Sequence, residues 1–260
     1  MIIQSLKLIK KFLLLYPPAE NLKTRKGDIF IVSYPKSGNT WVRALLMNYF
    51  YPKSSFHKID KKIPDIYKIS KLRSYLMFSK RIFKSHESVN SNYAKVIYIV
   101  RNPISVCFSY ENFSKNIEKR KFVNFNSYLN NFLTGKLDRF GSWSNHVEGW
   151  FKWGNKNRVN FHLVRYEDLV NDPHSELGKI ITFLNEKVDN EKINNTIKIN
   201  SFSNLKLKEN NGQLNWKSID YNYNGSFFYK RGNYKKDPRY SKVQKIITYK
   251  WANSMKIFKY

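Results

Sequence analysis

The stretch from Ile29 to Tyr49 constrains this chain more than any other. Asp28-Ile29-Phe30-Ile31-Val32-Ser33 is an apolar run of strand length, and Trp41-Val42-Arg43-Ala44-Leu45-Leu46-Met47 carries a helical period. Between them lies Tyr34-Pro35-Lys36-Ser37-Gly38-Asn39-Thr40. A buried strand feeding a helix through a tight loop is a unit of parallel α/β structure. A loop that opens a helix gathers backbone N–H groups and the positive helix end around an anion. Gly38 lets the backbone approach a ligand without an intervening Cβ. Lys36 supplies a charge, and Ser37 and Thr40 supply hydroxyl donors, although Ser37 has a structural alternative as a cap. The Walker A pattern G-x-x-x-x-G-K-[ST] is not met, because the lysine here precedes a single glycine. A P-loop-like small-molecule kinase therefore stands only as a rival reading.

Further elements follow the same plan. Arg81 to His86 reads as a short strand running into a loop. Lys95 to Val100 reads as a buried strand closed by Arg101-Asn102-Pro103, with Pro103 placed to start a helix over about 104–113. A helix is expected near 125–133, and another from Trp143 to Trp153, where Trp143, Val147, Trp150 and Phe151 share a face. The tryptophans at 143, 150 and 153 read as packing residues. Val159 to Val164 alternates like a strand, His174 to Val188 reads as a helix, and Asn194 to Lys208 as partly helical. Asn210 to Gly225, rich in Asn, Gly and Tyr, reads as a surface loop, and Tyr240 to Tyr260 as a closing helix. Strands alternating with helices predict one α/β domain with a parallel sheet covered on both faces. Ligands of such sheets bind beyond the carboxyl ends of the strands. Residues 1–27 are expected to form an amphipathic helix and lead-in, and 28–260 the domain. The N-terminal helix suits packing or a weak basic contact with a membrane surface; Lys7, Lys10 and Lys11 interrupt it as a span.

The formal charge of +28 admits three explanations. They are nucleic-acid binding, a site for a small polyanion or anionic acceptor, and a lysine excess set by A/T-rich codons. No zinc knuckle, RNA-recognition signature or arginine-rich arm supports a specific nucleic-acid partner, so codon usage is assigned the bulk and a site the remainder. A non-enzymatic anion- or nucleic-acid-binding protein is thereby kept as an alternative of a different kind. Cys107 is the one cysteine, which excludes an internal disulfide and fits a reducing, cytoplasmic setting. The five histidines are scattered, so no metal site is expected.

Two segments carry a family resemblance. Tyr34-Pro35-Lys36-Ser37-Gly38-Asn39-Thr40-Trp41 resembles the 5′-phosphosulfate loop Y-P-K-S-G-T-T-W of the sulfotransferases that use 3′-phosphoadenosine 5′-phosphosulfate (PAPS), departing from it only at Asn39. Arg101-Asn102-Pro103 with Ser109-Tyr110 resembles that family's 3′-phosphate motif at its spacing. In the same order, Phe83-Lys84-Ser85-His86 looks like the K-T-H loop, Tyr166-Glu167-Asp168 like Y-E-D, and Asn200-Ser201-Phe202 like T-S-F with Asn in place of Thr. Lys230-Arg231-Gly232 looks like the R-K-G loop with its basic residues exchanged, and the G-D-W-K that usually follows is missing. The likeness is closer to the cytosolic-type members than to the membrane-anchored type.

The resemblance implies a P-loop-like sulfotransferase fold, PAPS as donor, PAP as product and no metal. It makes His86 the general base, with Glu87 as the alternative, and puts Lys36 and Lys84 at the transferring group. Lys36, Ser37, Gly38, Asn39 and Thr40 would hold the 5′ end, and Arg101, Ser109, Lys230, Arg231 and Gly232 the 3′-phosphate. Trp41, Tyr166, Asn200 and Phe202 would surround the adenine. The acceptor is open among phenol, amine, sugar, lipid head group and anionic glycan. Its pocket is expected from residues 53–78, 115–140 and 210–226.

Overall fold

The computed structural model describes residues 22–77, 80–116, 118, 120–211 and 234–260. The expected N-terminal amphipathic helix, most of the surface loop from Asn210, and the Lys230-Arg231-Gly232 loop lie outside the described residues.

Strand β1 (Ile29–Ser33) is buried along its whole length. It leads into helix α1 (Asn39–Phe50). A 3₁₀ turn (Phe56–Lys58) and two short helices, α2 (Ile59–Lys62) and α3 (Lys71–Tyr75), lead to strand β2 (Ile82–Ser85). Strand β3 (Lys95–Val100) precedes α4 (Pro103–Asn116), α5 (Phe125–Thr134) and α6 (Trp143–Lys156). Strand β4 (Phe161–Arg165) is followed by α7 (Tyr166–Asn171), α8 (Pro173–Phe183), α9 (Asn190–Ile199), α10 (Phe202–Asn210) and α11 (Tyr240–Ile257).

The sheet is parallel throughout, in the order β2-β1-β3-β4. The register pairs Val32 with Ser85 and Ser33 with Ile99, and Val100 with Arg165, so all four carboxyl ends lie along one edge. Alternation along the strands divides the core in two. Phe30, Val32, Phe83, Val96, Tyr98 and Val100 face one layer with residues of α4, α5, α6 and α11. Ile29, Ile31, Ile82, Ile97 and Ile99 face the other, against α1, α8 and α9. The free edge of β2 is covered by the segment before Ile66: Lys84 N–H donates to Pro64 O at 2.9 Å, and Ile66 N–H to Lys84 O at 3.1 Å.

The chain leaves β1 towards β2 on one side and later returns to β3 on the other. The crevice between the carboxyl ends of β1 and β3 is therefore the topological switch point, where open α/β sheets bind ligands.

Helix ends follow side-chain capping. Asn124 accepts from Ser127 N–H, Ser142 from Asn145 N–H, Asp172 from Ser175 N–H and Ser201 from Asn204 N–H. Three expected boundaries shift. Residues 158–160 form a 3₁₀ turn instead of strand, because Val159 is solvent-exposed and pairing starts only at Phe161 opposite Val96. The helix expected to Val188 ends at Phe183, where Asn185 turns left-handed with φ 57°. The partly helical stretch is two helices, divided at Asn200-Ser201. Among the described residues no helix is long and apolar enough to cross a membrane.

Candidate active site

Three loops leave the sheet at the switch-point edge. The one after β1 is held in a shape few residues adopt: Lys36 has φ 67° and Gly38 φ 100°. At Gly38 a Cβ would lie 2.5 Å from Cδ2 of Tyr166, so glycine is required both by the backbone and by the ring on top of it. Gly38 is the N-cap of α1, and it has no side chain to cap that helix. The N–H groups that open a helix have no preceding turn to receive them, which leaves them available to an anion. Ser37 is fully buried, and its Oγ has no hydrogen-bond partner among the described residues.

The Asn39 side chain points away from that opening. Its Nδ2 donates to Ile31 O at 3.0 Å and lies 3.3 Å from Ser33 Oγ and 3.4 Å from Ser85 O. It thus stitches the ends of β1 and β2 together, and only its backbone faces the task expected of it.

Arg101 follows β3 and is buried. Its Nη1 donates to Lys36 O at 2.9 Å, its guanidinium carbon stands 4.4 Å from the centre of the Tyr166 ring, and its Nε has no partner among the described residues. One bond thus joins the two expected anion loops across the switch point. Lys36 Nζ lies 4.0 Å from the centre of the Phe113 ring. Burial, reinforced by the Arg101 charge, lowers the Lys36 ammonium to about 7. Ser109 sits half-buried on α4, which Asn102 caps by accepting from Ile104 N–H at 3.0 Å.

Trp41, Tyr166 and Asn200 come together. Trp41 Nε1 donates to Asn200 O at 2.9 Å, and the Trp41 and Tyr166 rings meet edge to face at 5.9 Å. Asn200 is buried and its own Nδ2 donates to Thr196 O. Phe202, half-buried, opens α10 two residues on.

The third loop follows β2. Lys84 Nζ pairs with Asp65 Oδ2 at 2.6 Å, with both side chains largely buried. Burial pushes the Asp65 carboxyl up, but Lys84 and Arg43 outweigh it and hold it at about 2. His86 Nδ1 lies 2.8 Å from Ser33 O. A carbonyl only accepts, so Nδ1 carries the proton and Nε2 presents a lone pair. Burial, and then the Lys84 charge, holds this imidazole well below the usual histidine range. It is therefore neutral at pH 7, which the base role expected of it requires. Glu87, the alternative base, is engaged by Arg139 Nη2 at 3.0 Å.

Helix α6 contributes residues that sequence reasoning assigned to packing or passed over. Trp143 Nε1 donates to Arg101 O at 3.1 Å, His146 Nε2 bonds His86 O at 3.0 Å, and Trp150 Nε1 donates to Glu87 O at 3.0 Å. The spacing 143, 146, 150 puts them on one helical face. That face carries a donor beneath each of two site loops. The signal was present in the sequence as polar-tipped residues on an apolar stripe. Two other contributors, Tyr67 and Glu167, are equally local in effect. Tyr67 Oη receives His86 N–H at 2.9 Å, and Glu167 Oε1 receives Asn102 N–H at 3.0 Å.

Comparison with known proteins identifies the family. The family model of the sulfotransferase domain matches residues 26–247. The amine sulfotransferase of Oryctolagus cuniculus is 31% identical over 202 residues, covering 72% of this chain and 66% of that protein. Sulfotransferase 2B1 of Mus musculus is 31% identical over 214 residues, covering 72% of this chain and 59% of that protein. The matched region thus spans less than two thirds of each relative's length. A mouse sulfotransferase complexed with PAP shares the fold, with a TM-score of 0.69 at 23% identity, over 90% of this chain and 87% of that one. A switch-point crevice flanked by two loops that one hydrogen bond joins, on a chain matched over most of its length by one domain model, leads to one conclusion: this chain belongs to the sulfotransferase domain family.

Proposed function

We propose that the chain transfers the sulfuryl group of PAPS to the hydroxyl or amine of a small-molecule acceptor. The observation that carries this is the bond from Arg101 to Lys36 O. It joins two anion loops whose buried Ser37 Oγ and Arg101 Nε have no partner among the described residues. Unpartnered buried donors are destabilising unless a ligand receives them. A nucleotide with phosphate groups at both ends fits such a pair of loops. Three solved structures that share the fold, one of a mouse sulfotransferase and two of retinol dehydratase, hold PAP.

PAPS, when bound, supplies an activated sulfuryl group and leaves as PAP. The rest is done by side chains. His86 Nε2 takes the proton of the acceptor. Lys36 sets its charge beside the leaving oxygen, and the N–H groups of Gly38, Asn39 and Thr40 receive the 5′ end. Arg101 and Ser109 hold the 3′-phosphate, with Lys230, Arg231 and Gly232 assigned there by sequence alone. Trp41, Tyr166 and Phe202 offer ring faces for the adenine. Lys84, oriented by its ion pair with Asp65, supports the sulfuryl oxygens. These cations take the charge-stabilising role, so the reading calls for no metal.

A small-molecule acceptor is supported by the amine sulfotransferase among the relatives and by androsterone bound to retinol dehydratase, which shares the fold. Tyr67 and Phe140, with ring centres 5.8 Å apart and Phe140 5.7 Å from His86, would form its walls. The cytoplasm is the proposed compartment, since the one thiol, Cys107, is free and buried.

Purified chain incubated with ³⁵S-labelled PAPS and a panel of phenols, alcohols and amines should label at least one acceptor. Failure to bind PAP at millimolar concentration, read as absence of a thermal shift, overturns the proposal.

A further inference from the structure

Strand β2 ends at Ser85, one residue short of His86, so sheet pairing does not fix the peptide groups of the base. Side chains do it instead. Its N–H is taken by Tyr67 Oη, its ring Nδ1–H by Ser33 O, and its carbonyl oxygen by His146 Nε2. His146 is 2% exposed and stands on α6. Its two ring nitrogens have opposite partners. Since the His86 carbonyl only accepts, Nε2 carries the proton, and Nδ1 receives the Tyr98 hydroxyl at 2.8 Å. The imidazole stacks on Tyr98 at 5.8 Å and meets Tyr34 edge to face at 5.6 Å, so it has little room to rotate.

Burying an imidazole and a phenol hydroxyl is unfavourable compared with two apolar rings of the same shape, unless the polar contacts serve something else. The end of this chain of bonds is the carbonyl of the expected base. From it we infer that His146, oriented by Tyr98, is a positioning residue for His86: it fixes the backbone from which the imidazole reaches both Ser33 O and the acceptor. The inference rests on the proposed transfer reaction. It adds a residue that touches neither donor nor acceptor but sets the geometry of proton removal. Displacing a catalytic group by about 1 Å can lower turnover on the order of 10²-fold.

Three variants test it. His146→Phe keeps the ring and removes the donor. Tyr98→Phe with His146→Phe removes both polar partners and so spares the core an orphaned hydroxyl. His146→Gln returns an N–H near the position of Nε2. We expect His146→Phe and the double variant to lower kcat by roughly 10²-fold. KM for PAPS and PAP affinity should stay within about twofold, and His146→Gln should recover about tenfold of the loss. In the ligand-free protein, nitrogen-15 spectra should show His86 as a single Nδ1–H tautomer. Both Phe variants should turn it into a mixture. Wild-type kcat in the Phe variants, or an unchanged His86 tautomer, overturns the inference. So does a loss of PAP affinity parallel to kcat in all three, which would make His146 a core residue only. If wild-type protein labels no acceptor, the tautomer measurement still decides the point, while PAP binding judges the proposed function separately.

Discussion

The loop after β1 and the loop after β2 leave adjacent strands at the same edge, yet they are built in opposite ways. The first is left open. It contains a left-handed lysine, a glycine where a cap would stand, and a buried serine hydroxyl with no partner among the described residues. The second is closed on itself. Lys84 is paired with Asp65, Ser85 Oγ lies 2.9 Å from Tyr93 Oη, and His86 is held at its N–H, its carbonyl and one ring nitrogen. An open loop suits a group that must receive a ligand's charge. A closed loop suits a group that must point a single lone pair. The crevice thus sets unmet donors beside met ones, and the proposed reading gives the first to binding and the second to catalysis.

That contrast can be broken at its strongest point first. His86→Ala should lower turnover by about 10²–10⁴-fold, the range of general-base assistance, and leave PAP binding unchanged. A parallel loss of PAP binding would show that the closed loop also holds the donor. Arg101→Ala attacks the open side. Loss of a charge-assisted bond of about 1.5–3 kcal/mol should weaken PAP binding by roughly 10- to 100-fold in a thermal-shift titration, even at saturating acceptor. An unchanged PAP affinity would detach Arg101 from the 3′-phosphate.

The third effect depends on pH. Burial and Arg101 lower the Lys36 ammonium to about 7, and a bound anion would raise it again. Binding should therefore take up a proton above pH 7, and PAP affinity should fall by up to about tenfold per pH unit above that point. Calorimetry in two buffers of different ionisation enthalpy measures the uptake. The unfolded lysine holds its proton to near pH 10.4, so this one group makes the ligand-free fold more stable as pH rises from about 7 to 10. The smallest effect belongs to Ser37→Ala. Removing a buried hydroxyl that has no partner among the described residues should leave the ligand-free protein as stable as before, or up to about 1 kcal/mol more so, while PAP binding weakens several-fold. A loss of ligand-free stability would mean that the open loop is less open than its hydrogen bonds indicate.

The β1 loop was legible in the sequence because its constraints are local: a strand of β-branched residues, one glycine and a helical period lie in a single stretch. Arg101 and Asn102 were legible for the same reason, each fixed by Val100 before it and Pro103 after it. The partners of these residues were not. Asn39 turning to Ile31 O, Lys84 reaching Asp65, and His146 meeting His86 60 positions earlier are contacts made by tertiary packing. Side-chain periodicity places residues on a face but does not say what the face touches. The tryptophans of α6 show this best. Their burial was expected from spacing, but the carbonyls of Arg101 and Glu87 that receive their N–H groups were not.

The ring of Tyr166 stands where a side chain at Gly38 would be, and it also stacks on Arg101 and meets Trp41. Divergence at these positions is therefore not independent. A substitution at 38 needs a residue tolerant of left-handed backbone and a smaller group at 166 in the same lineage. The smaller group in turn leaves Arg101 and Trp41 without a surface to lie on. A drifting sequence meets a ratchet here: the first step in either direction is unfavourable alone, and the pair can change only together.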